Sequence, residues 1–89
     1  MICQKDHRRN NEFASLPNDQ GGDGRHKCAG CAYEAGLEAG RRLQTFLNIN
    51  FDDLEESQAG TVRHKSPHAA FALGYLRGVF EHYEEVCPF

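Results

Sequence analysis

Cys28-Ala-Gly-Cys31 is the stretch of this 89-residue chain whose residue types and spacing could do chemistry. Two thiolates separated by two residues can grip one metal ion, because the intervening turn brings both sulfurs to the same side. Zinc in a structural role takes four ligands in a closed tetrahedron, so two more must come from elsewhere in the chain. His64 and His68, spaced i, i+4, are the candidates, and the expected zinc set is Cys28, Cys31, His64 and His68. Cys3, His7, His26, His82 and Cys87 are further cysteines and histidines on offer. There is no second CxxC, and the interval from Cys31 to His64 is far longer than in a zinc finger, so no finger is expected.

The same cysteines admit a redox reading. A cysteine at a helix N-terminus has a lowered pKa, and Arg25 and Lys27 nearby would lower it further. A thioredoxin-like CxxC should follow a strand in a βαβ context, and no such pattern is present, which ranks redox chemistry below metal binding.

A third chemistry comes from a triplet that occurs twice. Arg25-His26-Lys27 precedes Cys28, and Arg63-His64-Lys65 precedes Ser66. Helix N-termini attract anions through free N–H groups and the helix dipole. Arg25, His26, Lys27, Arg63 and Lys65 could therefore hold phosphates of a nucleotide or a nucleic-acid backbone. Solvated basic flanks balancing thirteen acidic residues are the simpler reading of the same triplets.

The elements that must position these residues are themselves a repeat. Arg25 to Gly40, RHKCAGCAYEAGLEAG, returns 38 residues later as Arg63 to Gly78, RHKSPHAAFALGYLRG, with six of sixteen positions identical. Repeats of this kind govern a fold reading. Both copies read as helices: about Cys28 to Leu47, and Pro67 to about Glu85. Ser66 suits an N-cap, and Pro67 falls at the first helical position, where its missing N–H costs nothing. Ala32, Gly36 and Gly40, and likewise Ala70, Gly74 and Gly78, recur every four residues and so share one helix face. Glycine within a helix costs about 0.5–1 kcal/mol relative to alanine, so these glycines require a compensating contact. Close approach of the two backbones, small face to small face, supplies it. The shared triplets favour helices that start at the same end, which would bring Cys28 and Cys31 near His64 and His68. An antiparallel pair would bring them near His82 and Cys87 instead.

The expected fold is all-α: two main helices from the duplicated motif, packed through small residues, with a short linker helix over Phe51 to Gln58. Residues 1–24 read as a loosely ordered N-terminal arm whose Phe13 and Leu16 can dock on the core, and 25–89 as one helical domain. Glu34, Glu38, Arg41 and Arg42 form a solvated face, with Glu38–Arg42 in the favourable i, i+4 order. The second helix carries one charge, Arg77, between Ala69 and Phe80 and is apolar nearly all round. Such a helix is normally buried on all sides, and this chain is short of material to bury it, so a homodimer or another protein partner is expected.

Composition sets the outer bounds. A net charge of −3 gives no bulk electrostatic support for nucleic-acid binding. The N-terminus has no apolar signal region, no apolar run reaches transmembrane length, and a cytoplasmic setting with four reduced cysteines is expected. No nucleophile elbow, phosphate loop or HExxH motif points to an enzyme. The reading is a small helical interaction protein stabilised by zinc, with a polyanion-binding accessory protein and a small CxxC redox protein as the competing classes.

Overall fold

The computed structural model describes residues 3, 13, 15–18, 27–47, 54 and 65–86. Two helices dominate it, α1 over Ala29–Arg41 and α2 over Pro67–Val86, and the described residues contain no strand. Apart from Leu54, the residues of the expected linker helix lie outside the described residues, as do the boundary at residue 24 and Arg25, His26, Arg63, His64 and Cys87.

The helix starts follow from local chemistry. The Ser66 hydroxyl oxygen accepts the Ala69 N–H at 3.1 Å, the Ser66 carbonyl accepts the Ala70 N–H, and Pro67 occupies the first helical position, fully buried. Replacing Ser66 by alanine should therefore lower stability by about 1 kcal/mol, read as a lower melting temperature by circular dichroism with the fold retained. Cys28 holds the equivalent cap position of α1 in extended backbone but makes no capping side-chain hydrogen bond. Its sulfur is directed to other partners.

The end of α1 corrects the sequence expectation. The helix stops at Arg41 rather than near Leu47. Leu43 adopts φ 51°, its N–H bonds the Gly40 carbonyl, and the Gln44 N–H bonds the Ala39 carbonyl. This is a Schellman closure with leucine in the left-handed position that glycine normally takes, so no residue type advertised the stop. Helix α2 reinforces it: the Tyr75 hydroxyl donates to the Gln44 carbonyl at 2.7 Å, and the His82 Nδ1–H donates to the Arg41 carbonyl at 2.9 Å. Beyond the turn, Phe46 and Leu47 are exposed.

The two helices run parallel and touch backbone to backbone. A Cβ built on Gly36 would collide with the Phe71 carbonyl oxygen and lie 3.0 Å from the Tyr75 nitrogen. One on Gly40 would collide with the Tyr75 carbonyl oxygen and lie 2.9 Å from the Gly78 Cα. Residue numbers rise together along both helices, which fixes the direction. The contacts are also reciprocal: Gly74 meets Tyr33 and Leu37 as Gly36 meets Phe71 and Tyr75, and Gly78 meets Leu37 and Arg41 as Gly40 meets Tyr75 and Val79. Equivalent surfaces thus face each other across an approximate two-fold axis running along the pair. Glu38 and Arg42 pair at 2.8 Å on the exposed side, and Arg41 bridges to Glu81.

The core gathers at the entrance end of the pair. Cys3, Phe13, Cys28, Ala29, Ala32, Leu54 and Ala70 are buried together, with Leu16, Cys31, Tyr33 and Phe71 packed against them. The Phe13 ring meets the Tyr33 ring edge-on at 5.4 Å. Docking of Phe13 and Leu16, expected from the sequence, is present. Two lysines hold the connecting segments in place. Lys65 Nζ donates to the Leu16 carbonyl at 3.1 Å, and Lys27 Nζ donates to the Leu54 carbonyl at 3.3 Å. Lys27 and Lys65 are one repeat interval apart, and so are Leu16 and Leu54, so each lysine reaches across to the other half. The sequence correspondence thus extends upstream of the triplets, to Leu16/Leu54 and Phe13/Phe51. The Ser66 N–H also donates to the Pro17 carbonyl at 2.8 Å, beside an antiparallel bridge between Asn18 and Lys65.

Candidate metal centre

The site forms where the N-terminal arm crosses the start of α1. Cys28 is the residue before the helix and Cys31 lies in its first turn, so the helical start turns both sulfurs the same way. Cys3 arrives from the arm. The sulfurs of Cys3, Cys28 and Cys31 all lie within 4.8 Å of one another, with Cys3 and Cys28 fully buried and Cys31 half-buried. Three cysteines thus lie close enough to hold a metal ion.

The spacing can be compared with what coordination demands. Zn–S bonds of about 2.3 Å in a tetrahedron place sulfurs about 3.8 Å apart. Cys31 Sγ stands 3.6 Å from Cys3 Sγ. The three cysteines are free thiols, with no disulfide among them. Thiolate is the form that binds metal, and the surroundings favour it at Cys28. A hydrogen bond from the Cys31 side chain holds the Cys28 thiol below its ordinary pKa, and the Cys31 backbone N–H adds to this, against the opposing effects of burial and of Cys3. The first turn of a helix presents such N–H groups, which is why a cysteine placed there gives up its proton more readily.

The sequence-expected ligands divide into three groups. Cys28 and Cys31 converge. His68 lies exposed on the first turn of α2 and stands outside the 4.8 Å group. His64 lies outside the described residues. The parallel arrangement removes the other alternative for His82, whose ring bonds the far end of α1 at Arg41. Cys3 is the member of the cluster that spacing did not select. It was visible only as another cysteine, separated from Cys28 by the polar arm, and Phe13 and Leu16 were the signal that this arm folds back.

Of the five residues considered for anion binding, Lys27 and Lys65 spend hydrogen bonds on the Leu54 and Leu16 carbonyls. Arg25, His26 and Arg63 lie outside the described residues. No helix among the described residues is long and apolar enough to cross a membrane. No protein-family model, curated protein or solved structure matches the chain.

Proposed function

We propose that this is a small helical interaction protein in which zinc, held by Cys3, Cys28 and Cys31, fastens the N-terminal arm to the entrance of the helix pair. The observation that carries this reading is the convergence of three thiols from two separate segments within 4.8 Å. Thiolate-rich sites of this size suit zinc. The site is structural in character, because Cys3 and Cys28 are buried in the same cluster as Phe13, Ala32 and Ala70. Reduced cysteines of this kind fit a cytoplasmic setting.

The test is the metal content of protein purified under reducing conditions without chelators. About one zinc per chain is expected, and a chain that carries no stoichiometric metal and binds none on titration overturns the reading. The His64→Ala variant separates two forms of the site. It lowers zinc affinity if histidine completes a four-ligand shell, and leaves it unchanged if the three thiolates suffice.

The 3.6 Å separation of Cys31 and Cys3 favours one second reading, thiol redox chemistry at the same cluster. Oxidation by a peroxide or a disulfide would join these two sulfurs and release any bound metal. A thiol titration that finds ordinary, slow-reacting cysteines in the metal-free protein eliminates it. The polyanion reading has less support, since two of its five residues, Lys27 and Lys65, are engaged with backbone carbonyls.

A further inference from the structure

Helix α2 buries one side against α1 through Ala70, Gly74 and Gly78 and leaves an apolar stripe on the other. Ala69, Leu73, Leu76, Phe80 and Tyr83 follow one another at intervals of four, three, four and three residues, the spacing of a coiled-coil seam. Leu76 is 51 % exposed, Phe80 59 % and Tyr83 45 %. Large apolar side chains left in water in a contiguous row mark an interaction site rather than a random surface.

The charges beside the stripe specify what covers it. Arg77 and Glu84 are both exposed, lie seven residues apart, and flank the same edge of the seam. The opposite edge carries Ala72 and Val79. A second α2 laid antiparallel about Phe80 brings Arg77 of one protomer beside Glu84 of the partner subunit, and the two-fold repeats the pair. A parallel second copy would set Arg77 against the apolar edge and make no such pair. The stripe is therefore self-complementary in one orientation. We infer that the Leu76–Phe80–Tyr83 face of α2 is the contact surface for a second copy of this chain, packed antiparallel and centred on Phe80. A symmetric contact of this kind closes on itself and stops at two copies. A single helix seam is small beside standard interfaces, which bury about 1,200 Å² or more, so micromolar dissociation is expected.

The experiment is sedimentation equilibrium or light scattering on the full chain at about 100 μM, under reducing agent to exclude intermolecular disulfides, with and without EDTA. The wild-type chain should weigh as two copies. Phe80→Glu should give one copy, with association weakened about 30-fold or more and an unchanged circular dichroism spectrum. Arg77→Glu should weaken association about tenfold, a charge pair being turned into a repulsion, and Arg77→Glu combined with Glu84→Arg should restore it. If Phe80→Glu loses helix content, the charge-swap series decides by itself. A wild-type monomer at this concentration, a Phe80→Glu chain that stays dimeric, a charge swap that fails to rescue, or wild-type binding to anionic lipid vesicles in place of self-association each overturns the inference. A dimer that persists in EDTA supports it whether or not the cysteines hold metal, because the surface lies away from the thiol cluster.

Discussion

Replacing Gly40 by alanine is expected to destabilise the protein by about 2 kcal/mol or more, although the same change in an isolated helix would stabilise it by about 1 kcal/mol. The sign is decided by where the new methyl would go. It would overlap the Tyr75 carbonyl oxygen and come within 2.8 Å of the Val79 nitrogen and 2.9 Å of the Gly78 Cα. These are backbone atoms, so no side chain can rotate away and the helices have to separate. Separation removes close contacts along the whole seam, because Gly36, Gly74 and Gly78 depend on the same spacing. In a domain of this size, a loss of about 2 kcal/mol lowers the melting temperature by roughly 10 °C. Gly36→Ala and Gly74→Ala should behave alike, their methyls colliding with the carbonyls of Phe71 and Tyr33. Gly40→Ala together with Gly78→Ala should cost less than the sum of the two, since the first opens the gap that the second needs. Ala35 is exposed on α1, so Ala35→Gly serves as the control and should cost only the propensity difference. Thermal melts by circular dichroism measure all of these. A Gly40→Ala protein as stable as the wild type would mean that the helices do not pack as described.

Cys28→Ser and Cys3→Ser should each abolish stoichiometric zinc binding and lower stability by an amount that depends on free zinc. A ligand that binds only the folded chain adds about 4 kcal/mol when present at a thousandfold excess over its dissociation constant. With zinc buffered at that level, the wild type should therefore melt far above either serine variant. In EDTA the gap should shrink to the packing cost of a buried sulfur-to-oxygen change. This convergence separates a metal ligand from an ordinary core cysteine, for which the gap would be the same with and without chelator. Protons compete with the metal for thiolates, so zinc should be released as pH falls.

Cys3 shows why part of the candidate site could not be read from spacing. Cys28 and Cys31 belong to one turn, so their separation in the sequence already implies their separation in space. Cys3 joins them in an arm whose Phe13 and Leu16 pack on the entrance end and whose Leu16 carbonyl is held by Lys65. The end of α1 is a similar case. Apolar periodicity continued through Phe46 and Leu47, but Leu43 takes a left-handed conformation supported by carbonyl bonds from Tyr75 and His82.

The chain's own residue order determined the all-α class, the two helical segments, the cap at Ser66 and the face on which the helices meet. Each of these depends on interactions within a few residues or on a period that recurs along one helix, which a linear text records. Parallel entry, the stop at Arg41 and the arrival of Cys3 beside the CxxC depend on contacts between distant segments. Only the folded chain sets those distances, because the chain length between two residues limits how far apart they can be and does not say how close they come.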